Sequence, residues 1–431
     1  LMIRDFMLRF FSNKVKDHDF LKVFTNASYL TISQGVSYLI PLITLSYVIS
    51  LLGLEKFGRY SVILITATLL QVVTDYGFMF ISPKEISIAG DNKQRVSEVY
   101  ISTTILKSLF LLLIFVFYTI VCYLIIDEYD LLINFLLGYL IVISQSLYPT
   151  WFFQGIQKMK IIAGLSIIAK IINCLLVIFF LKISAEINIL ILSQAFPMFV
   201  VSFYANLIII KKYIYLVKPS WTSIRTLFLE GSGLFLANIS SAILTNSTIP
   251  ILSIYATPTQ LGAYAAIERI IKSIYTIFFP ISQAIYPYNC KRFSYSLSDG
   301  ITAVKKTGIP MVVFALITSV SIVITFYVMR NYIDIYIYQY VLVVIFLSLW
   351  LIVGVINNVL GIQFLCAYNC KDFYSKAFFV SSSLTIPFMF WFSSWIPAIG
   401  TSFAVLMGES LLGVILFIKI YNINKRVKLS D

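Results

Sequence analysis

Arg269 and Lys272 stand three residues apart in an otherwise small and apolar stretch, Gly262-Ala-Tyr-Ala-Ala-Ile-Glu-Arg-Ile-Ile-Lys272. At helical spacing the two cations share a face, and Glu268, four residues before Lys272, can neutralise that lysine. Arg269 is then left seeking an anion, and a guanidinium fork suits the paired oxygens of a phosphate. The wall of an anion-binding cavity is one reading, and a structural ion pair between packed helices is the other. Lys107 and Lys170 each lie about nine residues inside an apolar segment, roughly 13 Å along a helix. Each either snorkels to the headgroups or adds positive charge to a cavity. Asp75 and Glu409 are also embedded, and with Glu268 they are the acids that could pair with a cation or carry a coupling ion. Asn238, Ser241, Thr245 and Thr248 recur on one face and lead to Pro250. Hydroxyls on such a face either pack against a neighbouring helix or line a wet cavity. Pro41 and Pro250 each remove one backbone hydrogen bond inside an apolar segment, so both are gating candidates.

Other chemistry is poorly supplied. No Gly-Lys pair occurs, so there is no phosphate-binding loop of the GxxxxGK[ST] type. Cys122, Cys174, Cys290, Cys366 and Cys370 form no CxxC pair, and His18 is the single histidine. A metal centre lacks ligands, the cysteines read as small packing residues, and no cofactor is expected.

The elements that hold these residues follow from composition. Of 431 residues, 60% are hydrophobic and 12% charged, with 36 Phe and 28 Tyr; the mean hydropathy is +0.92. That balance excludes an ordinary water-soluble enzyme. It predicts an all-α integral membrane protein with about twelve transmembrane helices in two six-helix bundles. The spans are expected near 25–52, 61–82, 99–126, 131–153, 161–182, 187–210, 227–254, 263–288, 308–329, 335–368, 377–395 and 398–420. The tenth is over-long and must tilt, break or extend beyond the bilayer. The organisation reads as a cytoplasmic tail at 1–22, an N-terminal bundle at 23–210, a cytoplasmic linker at 211–226, a C-terminal bundle at 227–421 and a tail at 422–431. Residues 3–16 form either an interfacial amphipathic helix or a disordered tail, and the absence of a cleavage site predicts a retained anchor. Trp151, Trp221, Trp391 and Trp395 fall near span ends, as an interfacial belt would place them.

Most of the 32 Lys and Arg cluster in the tails and alternate loops, whereas the other loops hold only Lys56, Arg59, Lys182 and Arg330. The positive-inside rule then places both termini in the cytoplasm. The net charge of +13 reports this topology; nucleic-acid binding would need a soluble basic face.

A faint repeat runs through the chain. Phe57-Gly-Arg-Tyr60 and Leu261-Gly-Ala-Tyr264 lie 204 residues apart at matching loops of a six-span unit. Two parallel halves would produce this pattern.

These stretches, with Asp75-Tyr-Gly-Phe78, Pro149-Thr-Trp-Phe-Phe-Gln-Gly155, Phe279-Pro280 and Tyr286-Pro287, resemble the bacterial polysaccharide-biosynthesis transporters. The similarity is to the O-antigen flippase (Wzx-type) branch of the multidrug/oligosaccharidyl-lipid/polysaccharide (MOP) exporter superfamily, and it covers nearly the whole chain. The resemblance implies a bacterial inner-membrane protein, not an enzyme. It implies flipping of an undecaprenyl-pyrophosphate-linked oligosaccharide to the periplasmic leaflet through a V-shaped central cavity by alternating access. It further implies contact with membrane lipids, and an O-antigen polymerase and a chain-length regulator as partners. On this resemblance Arg269 matches the cavity arginine of the eighth span and Asp75 the aspartate of the second-span motif. Rival readings are a multidrug exporter of the same superfamily, an O-antigen polymerase, which needs a large far-side loop, and a lipid II flippase, which carries extra helices.

Overall fold

A chain this apolar must satisfy its backbone groups internally, and helices do so within one segment. The computed structural model describes residues 18–215, 217–328 and 339–430, and every regular element among them is helical. The expected interfacial segment at 3–16, Arg330 and the side chain of Pro41 lie outside the described residues. Nine described segments are long and apolar enough to cross a membrane. The first of them, Leu42–Ala89, has 48 residues, enough for two crossings. The broken and more polar helices at 221–255 and 258–293 supply further ones, for about twelve in all. Large apolar side chains such as Phe117, Leu124, Phe179 and Ile183 are exposed, an arrangement that suits lipid rather than water.

By its contacts the chain divides into two units. One holds the chain up to Thr44 together with Ala67–Ile239, and the other holds Leu45–Thr66 together with Ser240 onward. The helix α1, His18–Asp75, passes through both. The first unit adds α2 (Phe78–Ala89), α3 (Lys93–Ile125), α4 (Tyr129–Ser146), α5 (Thr150–Gly155), α6 (Met159–Ile183), α7 (Ile187–Lys212) and most of α8 (Trp221–Asn246). Its core gathers on the Pro149–Gly155 stretch, where Trp151, Phe152 and Phe153 are buried. Trp151 is therefore not in an interfacial belt: it is 3% exposed and its ring lies 5.7 Å from that of Tyr100. Trp221, Trp391 and Trp395 are exposed. Buried polar groups are answered from neighbouring helices, as low dielectric demands. Asn206 donates to the carbonyls of Leu147 and Ser202 and accepts from the Tyr100 hydroxyl, and Ser82 pairs with Thr103 at 2.9 Å.

The second unit takes the middle of α1 and the end of α8. It adds α9 (Thr248–Tyr255), α10 (Pro258–Tyr275), α11 (Phe278–Phe293), α12 (Leu297–Val328), α13 (Val341–Asn358), α14 (Lys371–Trp395) and α15 (Pro397–Ser430). After α13 the helix widens into a π-helix, Val359–Cys366. The over-long tenth span thus changes its winding partway. Asn289, Gln363, Ser282 and Asn358 form a buried chain of hydrogen bonds at 2.7–2.9 Å around this π-helix.

The two copies of the sequence repeat meet inside this unit. A methyl group on Gly58 of α1 would sit 2.1 Å from the Pro258 carbonyl oxygen, and one on Gly262 of α10 would sit 1.9 Å from the Leu54 carbonyl oxygen. Leu54 and Pro258, like Gly58 and Gly262, are 204 residues apart, so the contact is reciprocal. Only glycine permits so close a crossing of two helices. Farther along, α1 ends at Asp75 and resumes at Phe78, while α10 ends at Tyr275 and resumes at Phe278. The second copy reaches its break four residues sooner, about one helical turn, which keeps the same face toward its neighbours.

Enlarging either crossing glycine is expected to force the helices apart. Gly58→Ala and Gly262→Ala should each cost about 1–3 kcal/mol and lower the melting temperature of the detergent-solubilised protein. Gly164→Ala, with nothing within 4 Å of the new methyl, should not. Wild-type melting of both crossing variants would show the contact to be slack.

Candidate functional site

The Asp75–Lys107 pair and the charged face of α10 stand one in each unit. In the first unit Asp75 is the last residue of α1, and Tyr76 and Gly77 follow with positive φ angles of 48° and 101°. A carboxylate at a helix C-terminus meets the negative end of the helix dipole, so it needs a cation. Lys107 supplies one: its Nζ lies 2.7 Å from Asp75 Oδ1, and its side chain is 4% exposed. Lys107 therefore neither snorkels nor stands as a free cavity charge. The break is held by aromatics: the Tyr76 ring stacks on Phe110, Phe228 and Phe235 with centroids 4.8–5.2 Å apart. Gly231 of α8 leaves room for that ring. Lys170 on α6 and Asn238 on α8 are half-buried in this unit, and the pair at Asp75 includes neither.

The second set stands on α10. Glu268, 5% exposed, accepts from the Thr248 hydroxyl at 2.9 Å and from Lys272 at 2.9 Å. Lys272 is thereby neutralised, although 42% of its side chain stays exposed. Arg269 is half-buried and has no carboxylate partner among the described residues. Its guanidinium is within electrostatic reach of the buried Tyr60 hydroxyl. One turn before Glu268, the fully buried Tyr264 hydroxyl has no hydrogen-bond partner among the described residues. Both tyrosines of the repeat motif thus border α10 charges. In the sequence their matched positions in the repeat are the signal that singles them out.

The polar face leading to Pro250 is divided. Thr245 is exposed and donates to the Ser241 carbonyl of its own helix at 2.9 Å, whereas Thr248 reaches Glu268. Between them α8 stops at Asn246 and α9 starts at Thr248. Pro250 explains the stop, because its ring excludes the carbonyl four residues earlier, that of Asn246. At Pro41 the backbone of α1 remains helical, and its non-helical residue is Gly53, with φ 76° and ψ 166°. Glu409 on α15 accepts from Asn357 Nδ2 at 2.8 Å and makes no ion pair among the described residues. Asn357 lies in an Asn-Asn pair within an apolar stretch, a signal that sequence reasoning passed over. No group of three His, Cys, Asp or Glu able to hold a metal is present among the described residues.

The Asp75–Lys107 pair is testable by a double-mutant cycle. Asp75→Asn or Lys107→Met alone leaves a buried partner uncompensated and should cost about 3–5 kcal/mol. The double variant should melt above either single variant. Additive losses would show that the two charges are not energetically coupled.

Comparison with known proteins completes this picture. A "Putative O-antigen transporter" of Escherichia coli (strain K12) is 25% identical over 405 residues, which cover 92% of this chain and 96% of that protein. A protein of the same description from Shigella dysenteriae is 26% identical over 277 residues, 64% of this chain and 69% of its own length. Among solved structures, the inward-facing conformation of a multidrug resistance MATE family transporter of the MOP superfamily matches with a TM-score of 0.69 at 12% identity, covering 91% of this chain and 96% of that one. The lipid II flippase MurJ in its inward closed conformation matches with a TM-score of 0.66 at 15% identity, covering 92% and 87%. Such low identities establish the fold, that of a multi-pass helical membrane protein. The polysaccharide biosynthesis protein family matches residues 23–293, more than half of the chain, and the chain belongs to that family.

Proposed function

We propose that this chain is a flippase that moves an undecaprenyl-pyrophosphate-linked repeat unit of O-antigen, or of a related polysaccharide, across the bacterial inner membrane by alternating access. Both termini face the cytoplasm, and an O-antigen polymerase and a chain-length regulator act on the delivered units. The observation that carries this reading is Arg269, a half-buried guanidinium with no carboxylate partner among the described residues. An embedded charge costs several kcal/mol unless it meets a counter-charge or water. The embedded acids Asp75 and Glu268 are each matched by a lysine and Glu409 is held by Asn357, so Arg269 keeps its charge for an anionic cargo. Pyrophosphate supplies paired oxygens for the guanidinium fork. A polyprenyl tail can stay in lipid while the sugars move through a polar path, and no covalent bond changes.

In a strain lacking its own copy, Arg269→Ala should abolish surface polysaccharide while the amount of protein in the membrane is kept. Arg269→Lys should restore it only partly, since an ammonium lacks the fork. Normal display by Arg269→Ala at normal abundance would sink the reading.

Alternating access requires helices that bend. The interruption at Ser247, imposed by Pro250, is a weak point where α8 meets α9, and we assign it and Pro41 gating roles. Pro250→Ala should reduce display more than abundance and should change the labelling of a cysteine at position 246 by an impermeant maleimide. Unchanged display together with unchanged labelling would reduce the break to packing.

A further inference from the structure

A groove of about 360 Å³ opens on the second unit where α12, the π-helix and α15 converge, large enough to hold a ligand. From α12 it takes Lys305, Gly308 and Val312, which share one face at helical spacing. The π-helix contributes Val359 and Phe364, and α15 contributes Asn424. At Gly308 α12 comes close to the π-helix: a methyl group there would sit 2.5 Å from a Val359 Cγ. The changed winding of this stretch is thus part of the groove wall, and π-helical turns are frequent at functional sites. Apart from Lys305 and Asn424 the lining is apolar, and it includes no acid. From Ile301 to Val313 the groove follows α12 for about 18 Å by the helical rise. That is close to the roughly 15 Å of hydrocarbon in one leaflet.

The two polar groups of the lining share one end. Lys305 lies near the start of α12 and Asn424 near the end of α15, and successive crossings of a membrane alternate in direction. Lys305 is exposed and makes no ion pair among the described residues. Asn424 is half-buried, and its Oδ1 has no hydrogen-bond partner among them. The groove therefore ends in an ammonium without a carboxylate and an amide with unfilled hydrogen-bonding capacity. An occupant must combine an apolar chain about one leaflet long, a negative charge at its end, and neutral polar groups beside that charge. A phospholipid with a phosphodiester and a glycerol headgroup combines all three. Its phosphate meets Lys305, and its hydroxyls can both donate to and accept from an amide. A zwitterionic headgroup would bring an ammonium to the same end, against the like charge of Lys305. A headgroup with two phosphates would leave one of them without a cation from the lining.

We infer that the groove between α12, the π-helix and α15 binds one anionic phospholipid, a phosphatidylglycerol, with an acyl chain along α12 and the phosphate on Lys305. By the charge rule that end faces the cytoplasm, so the lipid comes from the cytoplasmic leaflet. Bound there, it fills the cleft beside the π-helix and stabilises the second unit. The site does not rest on the flippase reading.

Melting and native mass spectrometry of the full-length protein, delipidated in a neutral detergent, test the site without any cargo. Added phosphatidylglycerol should bind the wild type and raise its melting temperature with concentration, as mass action requires. Phosphatidylcholine and phosphatidylethanolamine with the same acyl chains should bind about fivefold more weakly, the factor expected for one lysine at a headgroup. Glycerol phosphate, which lacks the chain, should shift nothing. Lys305→Gln should bind phosphatidylglycerol about fivefold more weakly and lose the preference over phosphatidylcholine. Lys376→Gln, the same charge loss at an exposed lysine of α14 outside the groove, should keep both. Val312→Trp should block the path of the chain and abolish the shift; if it folds poorly, the two lysine variants decide. The inference is overturned by equal shifts from phosphatidylcholine, by unchanged preference in Lys305→Gln, or by an equal loss in Lys376→Gln. It is also overturned if equimolar undecaprenyl phosphate displaces the bound lipid, which would make the groove a site for a polyprenyl carrier. None of these readouts involves surface polysaccharide, so failure of the flippase reading would leave them unchanged.

Discussion

The second unit depends on two helices approaching with nothing but hydrogen between their backbones. At Gly58 and Gly262 each backbone lies where the other's Cβ would be, and lipid provides no hydrophobic drive to bring helices together. Dispersion and complementary shape at such crossings must supply it. From that crossing α10 runs onward with its charges, so the placement of Tyr60, Arg269 and Glu268 follows from a contact within about two turns of each. The reciprocity of the contact gives the sequence repeat a physical meaning. Gly-x-Tyr recurs because one copy is the socket for the other, and each tyrosine then borders a charge on α10.

Charge accounting within the helices is selective. Lys107 and Lys272 are matched to Asp75 and Glu268, and each match is also a structural fastening. Lys107 of α3 fixes the broken end of α1, and Glu268 ties α9 to α10 through Thr248. Among the described residues Arg269 makes no pair with a carboxylate and Glu409 makes none with a cation. Among embedded groups those two exceptions are the informative ones, since a paired charge is explained by its pair.

Much of this was legible in the residues. Composition alone required helices in lipid, the i,i+4 spacing of Glu268 and Lys272 gave their pair, and Pro250 marked the stop between α8 and α9. Long-range partners were not legible. Nothing local connects Lys107 to Asp75, 32 residues away, or Asn357 to Glu409, 52 away, because contacts between helices depend on packing rather than on spacing. Trp151 misled for the same reason: a span-end tryptophan suits an interface, yet the Tyr100 and Phe152 rings around it form a core. The break in α1 falls at Gly53, and Pro41 stays in helical backbone, as a proline can when its neighbours tolerate the lost bond.

The breaks themselves suggest why the charges sit where they do. A helix that stops within an apolar layer leaves carbonyl and N–H groups without partners of their own, and each break here lies near a charged or polar side chain. Asp75 and Lys107 meet at the end of α1, and Thr248 with Glu268 meets at the start of α9. Lys107 beside the C-terminal end of α1 and Glu268 beside the N-terminal end of α9 each meet a backbone dipole of opposite sign, which lowers the cost of charge and end alike, and Lys107 also offsets the unfavourable dipole at Asp75. A continuous helix would offer Lys107 or Glu268 no such setting, and the same residues would then be expensive. In this chain two of the helix interruptions are also places where charge is kept within an apolar segment, so the bend proposed at Ser247 would act on the residues that carry the polarity.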